Sequence, residues 1–328
     1  MSFALFGVAS AGLHGGVMPA QIEQVIQAHQ PNELGEIMVV MYHNLVESEE
    51  EEGYYARSYA NFEKDLLRLH KEGYVPITMG EWIDGSFDVP AGKTPIVLTF
   101  DDGHPTDIQL DANGKPTEKC VVGIMEKVAK QHPDFVPKAT FYLNGPAAFG
   151  DAEYDKKKID YLLSNGYEIA NHTSNHLHLN EITVEEAKEE IVGQAKRLEP
   201  FTGSKAFHFA LPFGQKPLNY GDLVKGDWLG DYKMISSVNV GWNPVPSIFD
   251  KDFDVHNINR VTCGEDEVEL YFWLDNFEAV PKTRFISDGM PGVITFPLSQ
   301  KEHFDSKFAS RGMKPAVYDD ETLKIVEE

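Results

Sequence analysis

The sequence predicts an α/β fold built on a parallel sheet or barrel, and three observations carry that expectation. Short apolar runs of strand length recur at 37–42, 96–100, 139–143, 167–170, 206–211, 234–240 and 292–298. Segments with helical spacing fall between several of them, the alternation expected of strand–helix–strand units. The runs are continuously apolar rather than alternating, which suits strands buried on both faces. No internal repeat or low-complexity linker interrupts the 328 residues, so a single domain is expected.

Taken in order, residues 1–36 are rich in Gly, Ala and Gln and are expected to form an extension or short helix outside the main fold. The main domain is expected over 37–300, with 301–328 as a C-terminal tail. Ile37 to Tyr42 is the first buried strand, and the acidic run Glu47 to Glu52 reads as a solvated loop. Over 59–72, Phe62, Leu66 and Leu69 share one helical face, and Gly73 stops that helix. Strand 96–100 is followed by a helix over 119–131 and a strand at 139–143. A helix near 156–165 ends at Asn165-Gly166 and leads into strand 167–170. Thr183, with Glu186 three residues on, forms a capping box that opens a helix to Leu198.

Composition narrows the function. Hydrophobic residues make up 42% and charged residues 25%, the balance of a globular protein. Against 52 acidic side chains stand 29 basic ones, a net charge of −23. Such a surface repels phosphate backbones and anionic membranes, which excludes nucleic acid as a partner. No run approaches the roughly 20 apolar residues that span a bilayer. Two cysteines, Cys120 and Cys263, can build neither a disulfide framework nor a thiolate zinc cluster, and buried free thiols are expected. The opening stretch Phe3 to Ala11 is apolar and ends in Ala-x-Ala, as a secretory signal does, but lacks a basic leader. A trimmed signal, a cloning start and an ordinary first strand all fit it. A secreted or extracytoplasmic location is the expectation, with a cytoplasmic one left open.

The chemistry gathers at two strand ends. Thr99-Phe100-Asp101-Asp102-Gly103 follows an apolar strand, where neighbouring carboxylates point to opposite sides. One can bind a metal while the other acts as base; an Asp-Asp-Gly turn is the plainer alternative. Asn171-His172-Thr173-Ser174-Asn175-His176 follows another strand. Two histidines four apart converge on one ion if the segment turns helically. With Asp102 they supply two imidazoles and a carboxylate, the ligand count of a catalytic zinc site. His178 reads as a neighbour or a surface residue. Asn171-His172-Thr173 is also formally a glycosylation sequon.

On these residues the chain resembles the polysaccharide deacetylases with a NodB homology domain, carbohydrate esterase family four. Their first motif is similar to Thr99–Gly103, their second to His172–His176, and their third to Phe209-Ala210-Leu211-Pro212-Phe213-Gly214. Met41-Tyr42-His43 also recurs in members. The resemblance spans roughly 37–300 and implies a distorted (β/α) barrel and metal-dependent removal of acetyl groups from amino sugars. It implies Asp101 as general base, with Asp102, His172 and His176 holding the ion. Thr173 matches the hydroxyl that orients the second-motif loop. The backbone N–H of Phe213 matches the oxyanion donor and Trp242 the aromatic of the acetyl pocket, and Pro212, Phe213, Trp242 and His43 are expected to bind substrate. Zinc suits such a His₂Asp set, with cobalt, nickel or manganese also compatible.

Two positions depart from the family pattern. Ala210 stands where an arginine normally pairs with the base carboxylate, and 292–298 lacks the histidine of the fifth motif, the usual general acid. Arg260, in Ile258-Asn259-Arg260-Val261 on an expected later strand, is a candidate to reach Asp101 from a different barrel position. His43, His104 and His208 are candidates for the proton donor, and His43 ends a core strand. Tyr54, Tyr55, Tyr59 and Trp82 offer either a sugar-stacking surface or core packing. Gly92-Lys93-Thr94 lacks the first glycine of a phosphate loop, and no Gly-x-Ser-x-Gly elbow occurs. The expected activity is a metal-dependent deacetylase of N-acetylated amino-sugar polymers of the peptidoglycan, chitin or poly-N-acetylglucosamine kind. The two departures keep open a deacetylase or amidase of another acyl substrate, and a carbohydrate-binding protein with weakened turnover. The charge favours a neutral or partly deacetylated, cationic glycan.

Overall fold

In chain order, α1 (Pro19–His29) precedes the strands β1 (Val39–Tyr42), β2 (Asn44–Val46) and β3 (Ala56–Ser58). Helix α2 (Tyr59–Lys71), β4 (Tyr74–Ile77), α3 (Met79–Asp84) and β5 (Thr94–Asp101) follow. Then come α4 (Val121–Gln131), β6 (Thr140–Leu143), α5 (Lys156–Ser164), β7 (Glu168–Asn171), α6 (Val184–Thr202) and β8 (Ala206–Ala210). The last third holds α7 (Tyr220–Leu223), β9 (Lys233–Val238), β10 (Val261–Thr262), α8 (Leu270–Ala279), β11 (Val293–Pro297), α9 (Lys307–Ser310) and β12 (Lys314–Tyr318). These elements belong to a computed structural model that describes residues 19–326 other than 152, 154 and 226. The apolar opening segment 3–11 lies outside the described residues.

Eight strands form one parallel sheet in the order β10-β1-β5-β6-β7-β8-β9, with β4 paired to the first half of β5. The sheet curls until its ends meet. Asn239 N donates to Ile258 O (2.7 Å), Ile258 N to Ser237 O (3.1 Å), and Cys263 N to Met41 O (3.1 Å). The segment 258–263 thus laces β9 to β1, and the architecture is the distorted (β/α) barrel of the family resemblance.

Strand alternation sorts side chains into two cores, which is why the strands read as unbroken apolar runs. Val40, Tyr42, Leu98, Phe100 and Phe141 face the helix layer of α2 and α4. Val39, Val97, Tyr142, Ala170, Ala210 and Val238 fill the barrel interior. Across the register Tyr42–Phe100–Phe141 the rings stack at 5.2 Å per pair. The same alternation carries Thr99 and Asp101 to the interior side, so the last residue of β5 projects a carboxylate into the barrel. Of the helices, α6 starts on the expected capping box of Thr183 and Glu186. Among the described residues no helix is long and apolar enough to cross a membrane.

Three expectations need correction. Residues 31–36 are not outside the fold: Asn32 N donates to Ile286 O (3.0 Å), and Leu34 is buried. The run at 292–298 becomes β11, which pairs with β12 and not with the barrel sheet. Residues 301–328 are therefore not a tail as far as Tyr318. Val317 joins Ile294 and Phe296 in the interior core cluster, a burial that Ala316-Val317-Tyr318 is too short to announce.

Glu33 fastens the amino-terminal segment to β11. Its carboxylate accepts from Thr295 N (2.8 Å) and Asp288 N (3.3 Å) and is buried beside the Asp288 carboxyl. Burial, and then the Asp288 charge, push the Glu33 carboxyl well above its ordinary 4.5. A raised acid contributes stability that is fully present below the unfolded value and lost as pH rises through the folded one. Unfolding midpoints in denaturant are therefore expected to fall between pH 5 and pH 8, and Glu33→Gln to flatten that slope. An identical slope in the variant would remove Glu33 as its source.

Candidate active site

The candidate site sits at the carboxyl ends of the barrel strands, the end at which loops of such folds carry chemistry. Asp101 closes β5, Asn171 closes β7, His43 follows β1, and Arg260 directly precedes β10.

Asp101 and Arg260 meet inside the barrel. Arg260 Nη1 and Nη2 donate to Asp101 Oδ1 and Oδ2, each at 2.7 Å. The guanidinium is further held by Asn239 O (2.8 Å from Nε) and Thr99 Oγ1 (3.2 Å from Nη1). Both side chains are buried. Burial raises the Asp101 carboxyl, but the Arg260 charge, with smaller effects of His172 and His43, outweighs it and holds it well below the usual carboxylate range. Ala210, at the position of the family arginine, lies buried in the barrel core, and its carbonyl accepts from His172 Nδ1 (2.9 Å).

That carbonyl can only accept, so His172 carries its proton on Nδ1 and turns a bare Nε2 into the site. His176 Nε2 lies 3.1 Å from His172 Nε2, and Asp102 Oδ1 lies 3.6 and 3.5 Å from the two. Burial, and then the neighbouring His172, lower the His176 imidazole below its ordinary value. Two imidazole nitrogens and a carboxylate oxygen therefore converge within 3.6 Å of one another. A tetrahedral zinc with bonds of about 2.0–2.1 Å spaces its ligand atoms roughly 3.3 Å apart, so the set fits a divalent cation.

The two histidines do not converge through a helical turn, as their spacing suggests. Thr173 (φ 70°) and His176 (φ 52°) are left-handed, and Asp102 (φ 75°) is too. Each such residue costs on the order of 1–3 kcal/mol and persists only where its surroundings over-determine it. Thr173 does so by accepting from His176 N with Oγ1 (3.0 Å). Asn144, directly after β6, donates to Asp102 Oδ1 (2.6 Å). Its place after an apolar strand was the only sequence signal for it. Gly103 (φ 67°) suits its left-handed turn, and a Cβ there would also press on Ala148 Cβ at 3.0 Å and Leu143 Cδ2 at 3.1 Å.

The comparisons with known proteins come down on the same segment. Residues 88–225 match the polysaccharide deacetylase family model. A comparison with curated proteins gives no match. Among solved structures, the chain is similar to a polysaccharide deacetylase of Bacillus cereus, with TM-score 0.55 and 21% identity over 73% of this chain and 68% of that one. It is similar to a deacetylase of Streptococcus pyogenes in complex with acetate, with TM-score 0.53 and 19% identity over 70% and 92%. IcaB of Ammonifex degensii gives TM-score 0.50 and 15% identity over 74% and 96%. These likenesses establish the deacetylase fold.

Around the deacetylase motifs a cleft of about 260 Å³ opens, lined by Asp101, Asp102, His172 and His176 together with His43, Tyr55, His104, Leu211, Phe213 and Val240. His43 Nε2 stands 3.9 Å from Asp101 Oδ2, its ring against Tyr55. Its Nδ1 is buried without a hydrogen-bond partner, and burial pulls the imidazole down to about 4. Phe213 (φ 56°) caps the cleft rim, stacked on His178 at 3.9 Å. Two residues expected to bind substrate do not line this cleft. Pro212 is buried under its 3₁₀ turn and does not line the cleft. Trp242 is 58% exposed outside it, its carbonyl accepting from Trp273 Nε1. The fifth-motif strand, β11, is not hydrogen-bonded into the barrel sheet, while β1, one of the strands beside β5, leads into His43. His208 lies at the opposite region, bonded to Ser236 Oγ and near Glu168. Tyr54 and Tyr55 are exposed, and Trp82 is core.

Removing one partner of a buried ion pair strands the other charge and costs about 3–5 kcal/mol. Arg260→Met is expected to lose that much unfolding free energy, and adding Asp101→Asn to recover part of it. Denaturant unfolding of the four chains of this cycle measures the coupling; additive losses would mean that the pair does not act as a unit.

Proposed function

We propose that this protein is a metal-dependent hydrolase that removes acetyl groups from the N-acetylated amino sugars of a polysaccharide or oligosaccharide. The observation that carries the reading is the convergence of Asp102, His172 and His176 beside a carboxylate, Asp101, fixed by Arg260. Zinc suits two imidazoles and one carboxylate, and cobalt, nickel or manganese are compatible. When bound, such an ion supplies Lewis acidity, polarising an acetyl carbonyl and acidifying a nearby water.

The remaining steps belong to the chain. Asp101 is ionised across the working pH range and faces the cleft, so it accepts a proton from the attacking water, and Arg260 keeps its oxygens aimed. Asp101 alone is a weak base, and His43 compensates. Neutral at pH 7, His43 can take at Nε2 the proton that Asp101 receives from the water and deliver it to the departing amine, the role of the absent fifth-motif histidine. We assign the backbone N–H of Phe213, a residue of the cleft rim, as the donor to the developing oxyanion. Tyr55, exposed at the mouth, offers a ring face to a sugar. The net charge of −23 favours a neutral or partly cationic glycan. A polymer of this kind goes with an extracytoplasmic location.

Acetate release from N-acetylglucosamine oligomers tests the reading. Activity is expected to vanish on chelation and to return with zinc, and Asp101→Asn is expected to lower kcat strongly. Ion binding without release from any acetylated sugar would favour a carbohydrate-binding protein. A separate measurement addresses the proton donor. His43→Ala is expected to lower kcat by roughly 10²–10⁴ with zinc affinity unchanged, and an unchanged kcat would take His43 out of the proton path.

A further inference from the structure

The loop that carries both histidines is clamped from behind by a residue with no part in the chemistry described so far. Glu190, on the inner face of α6 and 7% exposed, accepts from Asn175 twice. Its Oε2 takes the backbone N–H of Asn175 (2.7 Å) and its Oε1 the side-chain amide (2.6 Å). The carbonyl of Glu190 also accepts from Ser174 N (3.1 Å). One helical residue therefore binds two consecutive residues between His172 and His176. Around it, Asn171 Nδ2 donates to Ile191 O (2.9 Å), and a Cβ on Gly193 would lie 2.7 Å from Ser174 Oγ. Helix and loop are in close contact along the whole segment.

Asn175 is itself an exposed residue, although both of its hydrogen bonds to Glu190 are partly buried. A buried carboxylate committed to an exposed asparagine is explained by what lies next in the chain. His176 has φ 52°, and its peptide N is the link to Asn175. Fixing the Asn175 backbone fixes the direction from which the His176 ring reaches His172 and Asp102.

We propose that Glu190 is a positioning residue for the ion site, holding His176 in ligating geometry through Asn175 before any cation arrives. This rests on the ion-binding reading above. Partners that orient metal ligands typically change affinity 10–100-fold when removed.

The test is the dissociation constant for zinc and for cobalt, measured on the whole chain by competition with a chromophoric chelator. Glu190→Ala is expected to weaken binding 10–100-fold with the far-ultraviolet circular dichroism retained. Glu190→Gln is expected to restore affinity, because its carboxamide oxygen accepts the Asn175 N–H while a flipped Asn175 amide accepts from its NH₂. Since Glu190→Ala removes a buried side chain, Asn175→Asp provides an exposed second variant. Its carboxylate opposes Glu190, and it is expected to weaken binding about 10-fold. Affinities within twofold of wild type for Glu190→Ala or Asn175→Asp would overturn the positioning role alone. A wild-type chain that binds neither ion, like a His172→Ala control, would overturn the ion-binding reading and this proposal with it.

Discussion

The Asp101–Arg260 pair is the interaction on which the site depends. A carboxylate at the end of β5 is forced into the barrel by strand alternation, where an isolated charge would be prohibitively costly. Arg260 makes that burial tolerable and at the same time sets the carboxylate's two oxygens. The guanidinium reaches it because the segment 258–263 laces the two ends of the sheet together, so closure of the barrel and formation of the site are one event. Nothing in the fold requires the arginine to come from the third motif; it requires a cation inside the ring.

The ion-facing side is built on the opposite logic. There, bare nitrogens and a carboxylate oxygen are brought close and no positive side chain is interposed. Left-handed residues at Asp102, Thr173 and His176 allow the approach, and Asn144, Thr173 and the carbonyl of Ala210 hold it. A scaffold that stores strain at three residues of two ligand-bearing turns has little freedom to adapt, which suits a cleft whose task is to present a fixed geometry.

How much of this was legible differed with the kind of interaction involved. Strands β1, β5, β6 and β7 were readable because both of their faces are buried, and α6 because Thr183 and Glu186 cap it locally. The approach of Arg260 to Asp101 was readable as an arginine in an apolar stretch with a carboxylate lacking its usual partner. The pairing of β12 with β11 and the inward packing of 31–36 were not, since long-range contacts rather than local pattern create them. The histidine loop was misread for a related reason: i and i+4 spacing describes a helix, while here positive φ angles bring the rings together. Pro212 and Trp242 were assigned by motif position, and position in a motif does not say which way a side chain faces.

The distance along the chain between the two halves of the central pair shapes how the molecule comes into being. Asp101 and Arg260 are 159 residues apart. At usual rates of synthesis that interval lasts on the order of 10 s. Through that interval the nascent carboxylate has no counter-ion, and β5 cannot settle into its final place without stranding a charge. The first half of the barrel must therefore wait, open and hydrated at its centre, for the last strand of the ring. The Asp101–Arg260 pair is completed at the end of folding, once the whole ring has been made.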